Sequence, residues 1–130
     1  MKKEFSTHWK SSKQPRKQRK YRYNAPLHIL NKFMSVHLSK DLRKKYGVRN
    51  VGIRKGDKVK IVRGQFKGKS GKVEKVILKK TKVFVEGVQL TSKTGNKSSY
   101  PIHPSNLILL ELNLSDKKRK EKLEKKEKKK

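Results

Sequence analysis

Between residues 63 and 72 the chain reads Arg63-Gly64-Gln65-Phe66-Lys67-Gly68-Lys69-Ser70-Gly71-Lys72. The segment comes close to the Gly-x4-Gly-Lys-Ser/Thr loop of nucleotide hydrolases, where backbone N–H groups and one lysine cradle phosphates. Two features remove that chemistry. The spacing is one residue short, with Arg63 where the first glycine should stand. Such a loop must also open a helix whose N-terminus faces the phosphates. Here Val73-Glu74-Lys75-Val76-Ile77-Leu78 follows, β-branched and strand-like. What remains is a loop whose glycines, Gly64, Gly68 and Gly71, allow positive φ and close backbone approach. Arg63, Lys67 and Lys69 surround it with positive charge. Gln65 can bond a base edge or a ribose hydroxyl. Phe66, read as a loop-tip ring, would stack on a base for about 1–3 kcal/mol. The plainer reading is a hairpin turn with Phe66 folded back onto the core. Charge, glycine and aromatic signals agree on RNA contact.

Other chemistries find little support. His8, His28, His37 and His103 have no partner at metal-ligand spacing, and no cysteine is present to supply a thiolate. No Ser/His/acid set stands out, and most of the 10 acids sit beside lysines, against paired-carboxylate catalysis. The expectation is a non-enzymatic chain with no cofactor and no metal. His28 and His103 remain candidate donors to phosphate or bases.

The elements that must position this loop sit in a chain of 130 residues with a formal charge of +29 and 31% hydrophobic residues. A core of ordinary size cannot fill every position, so a small domain with solvated or partner-bound arms is expected. Self-repulsion at such a charge works against compaction. A polyanion that releases its counterions on binding supplies the missing countercharge. No secretory signal and no apolar run near 20 residues is visible, and residues 26–34 are too short for a membrane-surface helix.

Residues 1–23 hold nine Lys and Arg against Glu4, a net +8. They show no helical or strand period. Arg16, Lys17, Arg19, Lys20 and Arg22 alternate with Tyr21 and Tyr23, a mixture suited to phosphate contact and base stacking. Nuclear import is a competing use of the same cations. Residues 24–50 read as a short helical segment. Asn24 is its cap, Pro26 lies in the first turn, and Leu27, Leu30 and Met34 share a face. Ser39 caps a second short helix that stops at Tyr46-Gly47. Residues 51–115 turn to period two. Val59 and Ile61 point one way and Lys58 and Lys60 the other; Val83 and Val85 alternate; Leu107–Leu110 is apolar on both faces. Broken alternation near Glu74-Lys75 predicts a bulge. Thr91–Tyr100 reads as a flexible loop. Four or five short strands with tight turns predict a small SH3-like barrel. Residues 116–130 form a Lys/Glu-rich tail, net +6, expected as a lone solvated helix with Glu121 and Lys125 paired.

The pattern Gly56-Asp57-x-Val59-x-Ile61-x-x-Gly64-x-x-Lys67-Gly68-x-x-Gly71-x-Val73 resembles the KOW motif, an RNA-binding module. Its flanks are Tyr23-Asn24-Ala25-Pro26-Leu27-His28, Leu38-Ser39-Lys40-Asp41-Leu42, Ile53-Arg54-Lys55 and Ile102-His103-Pro104-Ser105. With them, the chain resembles the eukaryotic form of the KOW-bearing large-subunit ribosomal protein, family twenty-four in the universal naming. The resemblance implies a mainly β fold, an SH3-like (KOW) barrel with short N-terminal helices and basic extended N- and C-terminal arms. It implies binding to large-subunit ribosomal RNA near the polypeptide exit tunnel, beside neighbouring large-subunit ribosomal proteins, with a part in subunit assembly. The arm of residues 1–23 would thread between RNA helices, and Asn24, Arg54 and Lys55 would join the RNA contacts. No membrane, small-molecule substrate or homo-oligomer is implied. The location is the cytoplasmic ribosome, with nuclear or nucleolar passage during assembly. The alternative is a KOW transcription elongation factor on RNA polymerase, which would ordinarily carry a second, acidic or mixed domain.

Overall fold

A computed structural model describes residues 5–9 and 11–128. Residues 1–4 and Lys10 of the basic arm, and Lys129 and Lys130 of the tail, lie outside it. The first element is a helix, α1 (Pro15–Asn24), where the sequence showed no period. It buries no residue, so no apolar stripe could announce it. Pro15 occupies its first turn, where the missing N–H costs nothing. Tyr21 ties it down, with its ring 4.9 Å from Phe5, 5.0 Å from Trp9 and 6.2 Å from Phe33. Such ring pairs contribute about 0.5–1.5 kcal/mol each beyond burial. Asn24 therefore ends α1 instead of capping the next helix. Pro26 holds the N-cap position of α2 (Leu27–Phe33) without a side-chain cap. Of the predicted apolar face, Leu30 and Met34 are buried and Leu27 stays 58% exposed.

A strand follows that periodicity did not show, β1 (Ser35–Leu38), with Val36 and Leu38 fully buried. Four residues between two helices are too few to display a period. Ser39 caps α3 (Lys40–Tyr46) as expected, accepting from the Leu42 N–H at 3.4 Å, and Gly47 ends it in the left-handed conformation. Then come β2 (Asn50–Gly52), β3 (Lys58–Ile61), β4 (Ser70–Ile77), β5 (Lys82–Val85), β6 (Gln89–Thr91), β7 (Lys97–Ser99), a 3-10 turn at Pro104–Asn106 and β8 (Leu107–Glu111). Six strands form one sheet in the order β2-β1-β8-β3-β4-β5. β1 and β8 run parallel; the other neighbours are antiparallel. The result is a mainly β, SH3-like (KOW) architecture with short helices, its sheet not closed.

The predicted alternations hold. Val59, Ile61, Val83, Val85, Leu107 and Leu109 are all buried in one cluster with Met34, Val36, Leu38 and Phe66. β8 lies inside the sheet between β1 and β3, which is why Ile108 and Leu110 are half-covered as well. The bulge falls as expected, where the β4–β5 register shifts between Val73 and Lys75. The segment read as a flexible loop is in part a two-stranded ribbon, β6 against β7, turning through Ser92–Asn96. Every residue of both strands is exposed, so burial gave no pattern to read.

The tail departs most from its reading. α4 (Lys117–Glu127) starts on an Asp116 cap that accepts from the Lys118 N–H at 3.0 Å. It is no lone solvated helix. It packs on α3, burying Leu123 and Arg119. The Arg119 guanidinium reaches Asp57 of the KOW segment, Nη1 to Oδ1 at 2.6 Å and Nη2 to Oδ2 at 2.7 Å.

Candidate nucleic-acid interface

The glycine loop is built by β3 and β4 and closes on itself. Gly68 N–H donates to Ile61 O at 2.8 Å, Lys67 N–H to Gly64 O at 3.2 Å and Lys69 N–H to Phe66 O at 3.1 Å. Gly64 (φ 100°) and Gly68 (φ 92°) take the positive φ the turn needs, and a Cβ on either would meet nothing within 4 Å. Their outer face is open to an approaching backbone. Gly71 has a different job. A Cβ there would lie 2.6 Å from Glu86 O, so the glycine lets two stretches of backbone pass closely.

Arg63, Gly64, Gln65, Lys67 and Lys69 are exposed, as a contact loop requires. The expectation of a loop-tip ring is corrected. Phe66 is only 9% exposed, packs in the core and lies 5.0 Å from the Tyr100 ring. Water is a poor neighbour for a benzyl group, and the turn is tight enough to point it inward. Lys69 Nζ stands 5.1 Å over the same ring, so Phe66 holds a cation in place from below.

Two grooves meet beside the loop. One is lined by Arg63, Gly64, Gln65, Lys82, His103 and Asn106 among others. The other is lined by Arg22, Phe33, Lys80, Thr81, Lys82 and His103. Lys82 and His103 belong to both, so a basic track runs from the glycine loop to the last turn of α1. His103 Nδ1 accepts from the Ser105 N–H at 3.2 Å. With Nδ1 as acceptor there, and 2.7 Å from Ser105 Oγ, a neutral ring carries its proton on Nε2, where it can donate. Burial, then Lys82, then Arg22 hold its pKa below the ordinary imidazole value.

The remaining expected residues are distributed around this track. Arg16, Lys17, Arg19, Lys20 and Arg22 are exposed along α1, and Tyr23 is 89% exposed, a free stacking face. Tyr21 is committed to the aromatic cluster and Asn24 is half-buried. His28 is exposed on α2 and lines neither groove. Arg54 is ion-paired with Asp116, and the Lys55 carbonyl accepts from Asn113 Nδ2 at 3.3 Å. Both line a separate hollow beside Glu74 and Lys75. Sequence reasoning missed Lys80, Thr81, Lys82 and Asn106. The run Lys79-Lys80-Thr81-Lys82 was the available signal, and it reads equally well as a solvated turn. Thr81 sits at φ 52° in that turn. Among the described residues no cluster of His, Cys, Asp or Glu could hold a metal ion, and no helix is long and apolar enough to cross a membrane.

The family model that describes the ribosomal proteins L26 of eukaryotes and L24 of archaea matches residues 12–126. The chain is also 52% identical over 115 residues to the large ribosomal subunit protein uL24 of the archaeon Methanosphaera stadtmanae, an alignment covering 88% of this chain and 98% of that one. The matched span takes in α1, the glycine loop, both grooves and nearly all of α4. With the sheet and its basic track in place, the chain belongs to the family of eukaryotic L26 and archaeal L24 ribosomal proteins, structural components of the large subunit.

Proposed function

We propose that this chain binds large-subunit ribosomal RNA along the track from Arg63 to Arg22 and helps that RNA fold during subunit assembly, performing no chemistry. The observation that carries the reading is the convergence of Arg63, Gln65, Lys82, His103 and Arg22 on two grooves that share their central residues. Phosphate contacts position, and here the cations, the imidazole donor and the Gln65 amide offer what a sugar–phosphate strand can use. A place near the polypeptide exit tunnel, with other large-subunit proteins as neighbours, is the part of the reading carried by family resemblance. Residence is the cytoplasmic ribosome; nuclear or nucleolar passage applies only in a cell with a nucleus, and the relative named above is archaeal. The polymerase-bound alternative gains no support from the family match.

The test is co-sedimentation of the endogenous protein with large subunits, joined to salt titrations of purified protein on deproteinised large-subunit RNA. Lys82→Ala is expected to shallow the log–log salt slope by about 0.7–0.9, the value of one lost phosphate contact. Absence from large subunits, or an unchanged slope, would remove the reading.

The histidine gives a pH signature. A bound phosphate opposes the effect of Lys82 and Arg22, so it raises the depressed pKa of His103. Between the two values the complex holds more protons than its separate partners, and affinity rises as pH falls. Binding should tighten several-fold from about pH 7.5 to about pH 5.5. His103→Gln should flatten that response. Equal pH profiles for both proteins would show that no phosphate meets His103.

A further inference from the structure

The C-terminal helix carries a second surface. Arg119 and Leu123 are its buried anchors. At about 100° per residue, Lys118, Lys122 and Lys126 fall within about 80° of arc on one flank. Glu124 and Glu127 fall on the other side, where Lys120 Nζ stands 4.0 Å from Glu124 Oε1, and Glu121 falls on the outer face, about 60° from Lys118. Six lysines and three glutamates are interspersed along the sequence of this helix, and docking turns three of the lysines to one groove. The flank of Lys118, Lys122 and Lys126 lines a groove whose opposite wall holds Asn31, Ser35 and Asn50. Asn31 and Asn50 are exposed, and both amides can donate or accept. Asp116, at the start of α4, is spent on Arg54 and the Lys118 N–H. None of the side chains lining this groove is shared with the track at His103.

We infer that the groove between α4 and the α2–β2 face is a second phosphate-backbone site, holding one strand of ribosomal RNA. The three lysines rise about 6 Å apart along the helix axis, a spacing on the scale of successive phosphates of one strand. The neutral amides opposite suit ribose hydroxyls. None of the three lysines is ion-paired within the described residues, and the wall opposite offers amides and Arg54 but no carboxylate. In a chain of +29, an anion is the occupant that relieves this charge. An acidic protein segment would meet the ladder equally well but would leave the amide wall without its hydroxyl partners. The inference rests on the RNA-binding reading, and its test keeps the two apart.

The triple variant Lys118→Gln/Lys122→Gln/Lys126→Gln is compared with Lys117→Gln/Lys120→Gln/Lys128→Gln, which removes the same charge from the other flank. Thermal midpoints check that both fold as the parent does. The probe is deproteinised large-subunit RNA, titrated across salt. The groove variant should shallow the log–log slope by about 2–3 and the control by less than 1, at about 0.7–0.9 per phosphate contact. Parent binding with equal slopes in the two triples overturns the groove site and leaves the first track standing. Absence of salt-dependent binding by the parent overturns the RNA reading itself, and the groove with it. A groove variant that keeps its slope on bare RNA but is lost from salt-washed large subunits identifies a protein occupant, and likewise overturns the inference.

Discussion

Arg119→Ala is expected to cost about 3–5 kcal/mol of folding stability, because it strands a buried carboxylate. Asp57 is completely buried and the Arg119 side chain is 6% exposed. Asp57 accepts the Arg54 N–H at 2.9 Å and the Asn113 N–H at 2.8 Å, besides both guanidinium bonds. Arg119 Nη1 also donates to Asn113 O at 2.9 Å, and Nη2 to Gly52 O at 3.1 Å. One guanidinium thus joins the KOW segment, the end of β2 and the approach to α4. Removing one positive charge from a chain of +29 relieves some repulsion. That gain is spread over solvated charges and screened within about 10 Å at ordinary salt, so the buried loss wins. A chain of 130 residues lies between the size classes that lose about 4–8 °C and about 2–4 °C per kcal/mol, so the thermal midpoint should fall by at least about 6 °C. Arg119→Lys should recover little, since a lysine cannot make the paired bonds or reach both carbonyls. Asp57→Asn combined with Arg119→Met should be less damaging than Arg119→Ala alone, because no unpaired charge remains buried. A drop under about 1 kcal/mol for Arg119→Ala, measured by chemical denaturation, would show that the pair is bypassed by water.

Phe66→Ala carries the second large effect, about 3 kcal/mol, at the lower end of the range for buried phenylalanine because the ring lies at the core's edge. Lost contacts include the Tyr100 ring and the support under Lys69. The informative companion is Phe66→Leu. It keeps most of the core volume, so stability should change by less than about 1.5 kcal/mol. It also removes the aromatic face, so a ring that stacks on a base would show a loss of about 1–3 kcal/mol in RNA affinity. The expected result is a folded Phe66→Leu protein with parental affinity and parental salt slope. Weak binding by that folded protein would mean that the ring leaves the core when RNA arrives.

The fold was legible wherever a pattern repeats within a few residues. Val59 and Ile61, Val83 and Val85, and Leu107 and Leu109 announce their strands by alternation. Ser39 and Gly47 bracket α3 because caps are local chemistry. The broken step at Glu74-Lys75 marked the bulge. α1 and β1 were not legible, for opposite reasons. α1 buries no residue and depends on Tyr21 meeting Phe5, Trp9 and Phe33. β1 is too short to show a period and depends on parallel pairing with β8, from the far end of the domain. The interface divides the same way. The loop cations of the proposed interface were named from the sequence, while Lys80, Lys82 and Asn106 came to line its grooves only when the β4–β5 turn and the 3-10 turn folded beside that loop.

By itself, the sequence determined the class of partner and the type of scaffold. A charge of +29, a KOW-like glycine loop and period-two strands are sums and local spacings, and no folding can undo them. Tertiary structure alone decided which way Phe66 points, which histidine joins the cations, and whether the tail is a free arm. Each of those turns on burial, which a residue acquires from partners distant in the chain. A lysine-rich helix reads as solvated until Arg119 finds Asp57, because the cost of hiding a charge is offset only by a counter-charge that local sequence does not contain.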